Sequence, residues 1–236
     1  MLRDSITQQT IRLNRFLSQY GGCSRRKADQ LIQQGRVVIN GKKGILGQKV
    51  MPNDRVFLDS ILIKSKPKTN TYLALNKPKG IVCTTDTEKE KNNIIDFLNY
   101  PKRIFPIGRL DKNSQGLILL TDDGLVVNKI LRTQHQIEKE YIVRVNRPIN
   151  SSFIQKMSSG VPILNTTTQK CRLEQLSNME FRIILKQGLN RQIRRMCQFL
   201  EYRVTSLQRV RIHHILLDMP LGKFRKLSPA DMQPFF

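Results

Sequence analysis

Leu13, Phe16, Leu17 and Tyr20 recur at three- and four-residue spacing, which predicts one apolar face of a short helix ended by Gly21-Gly22. Ser24 is a good N-cap for a second helix from Arg25 to about Gln34, with Ala28, Leu31 and Ile32 turned inward and Gly35 at the stop. Val37-Val38-Ile39 then reads as a strand, Asn40-Gly41 as a hairpin turn, and Val56-Phe57-Leu58 as a further strand. Residues 64–70 are polar and broken by Pro67, the pattern of a linker. Beyond them strands dominate. Tyr72 to Leu75 leads into a turn at Asn76-Lys77-Pro78-Lys79-Gly80. Leu117 to Leu120 reads as a buried strand ended by Asp122-Asp123-Gly124, and Tyr141 to Val145 and Phe181 to Leu185 as further strands. Gln192 to Leu200 and a short piece around Phe153 to Met157 read as helical. Strands and helices do not alternate regularly. The expected class is therefore α+β: a small N-terminal α/β domain (1–63), a linker (64–70), and a larger domain (71–236) with a mainly antiparallel mixed sheet flanked by helices.

Charge changes this picture most. The chain of 236 residues carries 41 Lys and Arg against 18 Asp and Glu, a formal charge of +23. The first 70 residues hold 14 and 4 of these, roughly twice the net charge density of the rest. Such an excess points to a polyanion, with nucleic acid the default partner. The rival, an anionic membrane surface, lacks a long basic amphipathic helix with an aromatic apolar face. No apolar run of about 18 residues is present and the first residues lack a signal-peptide core, so a cytoplasmic protein is expected. Cys23, Cys83, Cys171 and Cys197 are scattered without metal-ligand spacing and read as reduced thiols. His135, His213 and His214 read as structural or RNA-facing, since no third metal ligand is in sight.

Against this basicity, the run Gly108-Arg109-Leu110-Asp111-Lys112-Asn113-Ser114-Gln115-Gly116 places one carboxylate between two cations ahead of an apolar strand. Opposite charges favour the ionised form, which suits a nucleophile or a base rather than a general acid. The alternative is a structural ion pair of Asp111 with Arg109 in a strand-entry turn. Two more segments carry polar chemistry at element starts: Glu138-Lys139-Glu140-Tyr141, and Gly188-Leu189-Asn190-Arg191-Gln192-Ile193-Arg194-Arg195-Met196. In the N-terminal part, Arg25, Arg26 and Lys27 crowd a helix N-terminus, where the macrodipole prefers anions. They are placed to meet phosphate, as are the free amides of that helix end.

The stretches Arg12 to Leu17, Ser24 to Ala28, Leu31 to Val37 and Val38 to Gly41 resemble the small RNA-binding domain shared with a ribosomal protein, the S-four domain. That resemblance implies binding of structured RNA through the two-helix face, with Arg12, Arg25, Arg26 and Lys27 among the contacts. Taken together, Asn76 to Gly80, the Asp111 run, Glu138 to Tyr141 and Gly188 to Met196 resemble the RNA pseudouridine synthases of the branch with an N-terminal S-four domain. Gly160 to Leu164 and Pro220 to Leu227 are most similar to the F-type branch acting on 23S ribosomal RNA, although the chain ends soon after Met232 without a long basic extension.

The resemblance implies that Asp111 is the catalytic aspartate, Tyr141 stacks on the target base, and Arg194 pairs with Asp111. Ile193 would supply an apolar wall, and Arg109, Arg191, Arg195 and Lys77 would meet RNA. Uridine and pseudouridine have the same formula, so no cofactor or metal is expected. The expected partner is structured RNA, ribosomal or possibly transfer RNA, acted on by a monomer. Asp111 would work as nucleophile or as base. The alternative from another class is a non-catalytic RNA-binding factor in ribosome assembly.

Overall fold

The computed structural model describes residues 10–65, 69–132 and 136–236. His135 and the linker residues Lys66 to Lys68 lie outside the described residues. The chain divides into two compact units, Met1–Thr69 and Asn70–Phe236.

The first unit runs β1 (Ile11–Arg12), α1 (Leu13–Tyr20), α2 (Arg25–Gln33), β2 (Val37–Ile39), β3 (Lys42–Lys43), β4 (Lys49–Val50), β5 (Val56–Leu58) and β6 (Ile61–Leu62). The predicted spacing is realised: Leu13, Phe16 and Leu17 of α1 and Ala28, Leu31 and Ile32 of α2 are buried together with Val37, Ile39, Val50 and Val56. Ser24 caps α2 by accepting a hydrogen bond from Lys27 N at 3.1 Å. Asn40 and Gly41 both take positive φ, 49° and 81°, as a two-residue turn between β2 and β3 requires. The sheet order is β3-β2-β5-β6.

The second unit continues with β7 (Tyr72–Lys77), α3 (Ile94–Leu98), β8 (Phe105–Ile107), β9 (Gln115–Thr121), α4 (Val126–Leu131), β10 (Lys139–Val145) and α5 (Ser151–Ser159). It then runs β11 (Pro162–Ile163), β12 (Thr166–Thr167), β13 (Arg172–Ser177), β14 (Glu180–Leu185), α6 (Gln192–Phe199), β15 (Val204–Ile212), β16 (Ile215–Leu216), β17 (Phe224–Lys226) and α7 (Pro229–Met232). Among the described residues its main sheet has the order β13-β14-β10-β15-β9-β7-β17, with β16 on β15 and β8 on β9. The pairings are antiparallel except β9 with β15, where Gln115 and Gly116 lie beside Gln208 and Arg209 in parallel. The larger unit is thus the expected mainly antiparallel mixed sheet with helices.

β9 is apolar without alternation because both its faces are covered. Leu117 and Leu119 join Ile107, Val126 and Ile130, whereas Ile118 and Leu120 join Leu73, Leu75 and Ile94. On the other side of the parallel pair, α5 and α6 cover β10 and β14 through Phe153, Met157, Met196 and Phe181. One expected turn is displaced. β7 extends through Asn76 and Lys77, which pair with Leu117 and Gly116, so the chain turns only from Pro78 onward.

Candidate active site

Asp111 sits in the loop between β8 and β9. Gly108 enters that loop at φ +78°, Ser114 N donates to Asp111 O at 3.0 Å, and Gly80 N donates to Lys112 O at 2.8 Å. Leu110 is buried and its N–H meets Cys83 Sγ at 3.4 Å. The loop is anchored on both sides of Asp111, which leaves the carboxylate partly exposed on one wall of a cleft of about 930 Å3.

The cations nearest the carboxylate are not its sequence neighbours. Lys112 faces Glu90 at 3.8 Å, and Arg109 is an exposed residue of the cleft rim. Among the described residues, Asp111 Oδ2 instead meets Arg194 Nε at 3.7 Å and Arg191 Nη1 at 3.9 Å, both from the start of α6. The alternative of a structural pair with Arg109 is not what forms; the pairs that do form tie two distant segments together, and one of them is with Arg194, the partner the resemblance implies.

Arg194 is well buried and held in its fork: Nη2 donates to Asn113 O at 2.9 Å and Ser114 Oγ at 3.2 Å, and Nη1 to Val204 O at 3.4 Å. Its Nε, buried without a hydrogen-bond acceptor among the described residues, points at the carboxylate from just beyond hydrogen-bond range. Such contacts often tighten only when substrate is bound. Burial works against the charge of Arg194, and Asp111 supports it. Arg191 sits at the N-cap of α6 with φ 51°, an uncommon backbone state for a bulky residue. Arg195 is turned away, its guanidinium donating to Asn190 O at 3.1 Å.

Tyr141 and Ile193 line the same cleft as Asp111 and Arg194. Tyr141 lies at an irregularity of the β10–β15 ladder, between Glu140 and Tyr141, of a kind that re-aims side chains beside active sites. Ile193 is buried in the cluster under α6 and forms part of the apolar lining. Glu140 is taken by Arg211 at 2.8 Å and Arg182 at 3.2 Å, and Glu138 by Arg211 at 3.2 Å. Both glutamates of the motif are thereby occupied, while Lys139 and Tyr141 line the cleft.

Lys77 requires a correction. Expected at RNA, it is 0% exposed, and its ammonium donates to Pro78 O and Ile81 O, each at 2.8 Å. Strand β7 carries it inward, where it clamps the following turn; its pKa is lowered by burial. Arg12, Arg25, Arg26 and Lys27 are exposed on the first unit. His213 Nδ1 and His214 Nδ1 lie 2.7 Å apart, and both rings pack on Phe235 near the C-terminus. Sequence reading passed over Lys139 and Arg209, which also line the cleft. The signal for Lys139 was its position two residues before Tyr141 on one strand, which puts both on one face.

Residues 71–199 match the family described as RNA pseudouridylate synthase, and residues 11–56 match the S4 domain. The chain belongs to the RNA pseudouridylate synthase family. The synthase is 50% identical over 238 residues to the dual-specificity RNA pseudouridine synthase RluF of Escherichia coli (strain K12), covering 100% of this chain and 80% of that protein. It is 31% identical over 231 residues to the ribosomal large subunit pseudouridine synthase B of Bacillus subtilis (strain 168), covering 94% of each. A solved pseudouridylate synthase shares its fold, with a TM-score of 0.70 and 28% identity over 96% of this chain and all of that one. The synthase is an isomerase acting on RNA. No described helix is long and apolar enough to cross a membrane.

Proposed function

We propose that the synthase converts a specific uridine of ribosomal RNA, in the large subunit, to pseudouridine, with Asp111 as its catalytic carboxylate. The observation that carries this reading is the meeting of Asp111 with Arg194 and Arg191, within 4 Å, in a cleft also lined by Tyr141. The chemistry asks for these groups. The bond from ribose carbon 1′ to uracil N1 breaks, the base turns, and carbon 5 bonds to carbon 1′. The carbon-5 proton leaves, and N1 ends protonated. A carboxylate at the ribose serves as nucleophile or as base, and Arg194 keeps it placed. Taking uracil out of the stack costs a few kcal/mol, and stacking on Tyr141 returns about 1–3 kcal/mol.

In this reading residues 1–63 grip structured RNA through Arg12, Arg25, Arg26 and Lys27, residues 64–70 link, and residues 71–236 carry the chemistry. Arg109 and Arg191 meet the RNA backbone around the cleft, whereas Arg195, expected there, is held on Asn190 and does not line the cleft. The synthase works as a monomer in the cytoplasm, its charge of +23 opposing self-association. The dual specificity in the name of the Escherichia coli relative favours a second RNA substrate, and transfer RNA is the one we propose.

The test is Asp111→Asn. Pseudouridine mapping in ribosomal and transfer RNA from cells carrying only this variant should show the site unmodified, with RNA affinity unchanged within about threefold. A fully active variant would remove Asp111 from the chemistry. A wild-type protein that binds RNA yet modifies none would favour the assembly-factor reading.

A further inference from the structure

The cleft floor holds charge that the roles above do not use. Lys139 is 9% exposed and Arg209 4% exposed. Lys139 Nζ donates to Ile137 O at 2.9 Å, and Arg209 Nε to Leu117 O at 2.7 Å. Arg209 Nη2 is buried with no acceptor among the described residues. Neither cation has a carboxylate within ion-pair distance among the described residues, although buried charges are normally paired. They face each other's field instead: burial first and Arg209 second push the Lys139 ammonium down to about 8.

Their placement relative to Tyr141 is specific. Arg209 is the register partner of Tyr141 on β15, and Lys139 precedes Tyr141 by two residues on β10. All three line the cleft, so the two cations flank the ring on which the base would stack. Exposed Arg109 and Arg191 are better placed for phosphate at the rim.

We infer that Lys139 and Arg209 form an anion site for the detached uracil, holding it between glycosidic cleavage and rejoining through carbon 5. This rests on the pseudouridine chemistry proposed above. When the C1′–N1 bond breaks, its electron pair leaves with the base, so the free uracil is an anion spread over N1, O2 and O4. Two desolvated cations on the floor stabilise that charge where it develops. They also neutralise their own unpaired burial only while the anion is present. Holding the base by charge rather than by a fixed set of hydrogen bonds lets it turn without leaving.

The test compares wild type, Lys139→Met, Lys139→Arg and Arg209→Lys on a substrate RNA carrying uridine or 5-fluorouridine at the target. Fluorine makes the departing base a more stable anion. For Lys139→Met we expect single-turnover cleavage of the uridine substrate to fall about 100-fold, with RNA Kd within about threefold. With 5-fluorouridine the deficit should shrink to less than about tenfold. Arg209→Lys should behave similarly with a smaller deficit. The kcat/KM profile of wild type should fall as pH rises through about 8, where Lys139 loses its proton. That limb should move upward in Lys139→Arg, which also serves if Lys139→Met does not fold.

Equal deficits with both bases, or a raised Kd with an unchanged saturated rate, would overturn the anion site; the second result would mark a phosphate contact. So would an alkaline limb that Lys139→Arg leaves in place. Failure of the underlying reading looks different: the wild type itself would form no pseudouridine.

Discussion

Gly116 offers the sharpest test of how the site is built. It closes the Asp111 run and lies where β9 pairs in parallel with β15 on one side and antiparallel with β7 on the other. Its φ is +106°, and a Cβ added there would lie 2.2 Å from Arg209 O and 2.7 Å from Arg209 N. Both atoms are backbone, so no flexible side chain can move aside. In Gly116→Ala the strained backbone state costs about 1–3 kcal/mol, and forcing the two strands apart adds about 1–3 kcal/mol of overpacking. The expected loss of about 2–6 kcal/mol is a large part of the 5–15 kcal/mol typical of a domain. Urea unfolding followed by circular dichroism, with the slope checked for constancy, would measure it. The displaced strand also carries Arg209, so the residual folded protein should turn over more slowly than wild type. A stability loss below about 1 kcal/mol would refute the close approach of β9 and β15 at this position.

Three further outcomes follow from the same geometry. Arg194→Lys keeps the charge but loses the fork to Asn113 O and Ser114 Oγ, so kcat should fall about 100-fold through misplacement of Asp111 with RNA Kd unchanged; wild-type kcat would show that the fork does not matter. Lys77→Met should destabilise the protein by about 1–3 kcal/mol, since two turn carbonyls lose their donor, and leave RNA affinity intact; weaker binding with unaltered stability would reverse the burial argument. Removing residues 1–69 should flatten the dependence of log K on log salt by about 3, roughly 0.7–0.9 for each phosphate lost with Arg12, Arg25, Arg26 and Lys27. An unchanged slope in filter binding would take the RNA grip out of the first unit.

Much of the fold was legible because its signals are local. The spacing of Leu13, Phe16 and Leu17, the Ser24 cap and the Asn40-Gly41 turn each act within a few residues, and each forms as the pattern dictates. The apolar run of β9 was equally plain, since a strand covered on both faces needs no polar positions. Lys77 was misread for a related reason. Its neighbours Pro78, Lys79 and Gly80 signal a turn, but pairing with Gly116 draws the strand on through Lys77 and buries it.

The site depends on pairing that no local pattern carries. Local spacing sets Asp111 between Arg109 and Lys112, yet its ion pairs come from α6, about 80 residues later; the pair with Arg194 was legible only through the family resemblance. Spacing along one strand does show that Lys139 and Tyr141 share a face. It does not show that β15 lies alongside β10 and also, in parallel, alongside β9. The antiparallel ladder sets Arg209 opposite Tyr141, and the parallel one sets it next to Gly116. Together the two pairings explain why position 116 is glycine and why Arg209 lies buried in the cleft, with no carboxylate at ion-pair distance among the described residues. A residue that is unremarkable in its own strand thus takes its chemical role from a register set more than ninety residues away.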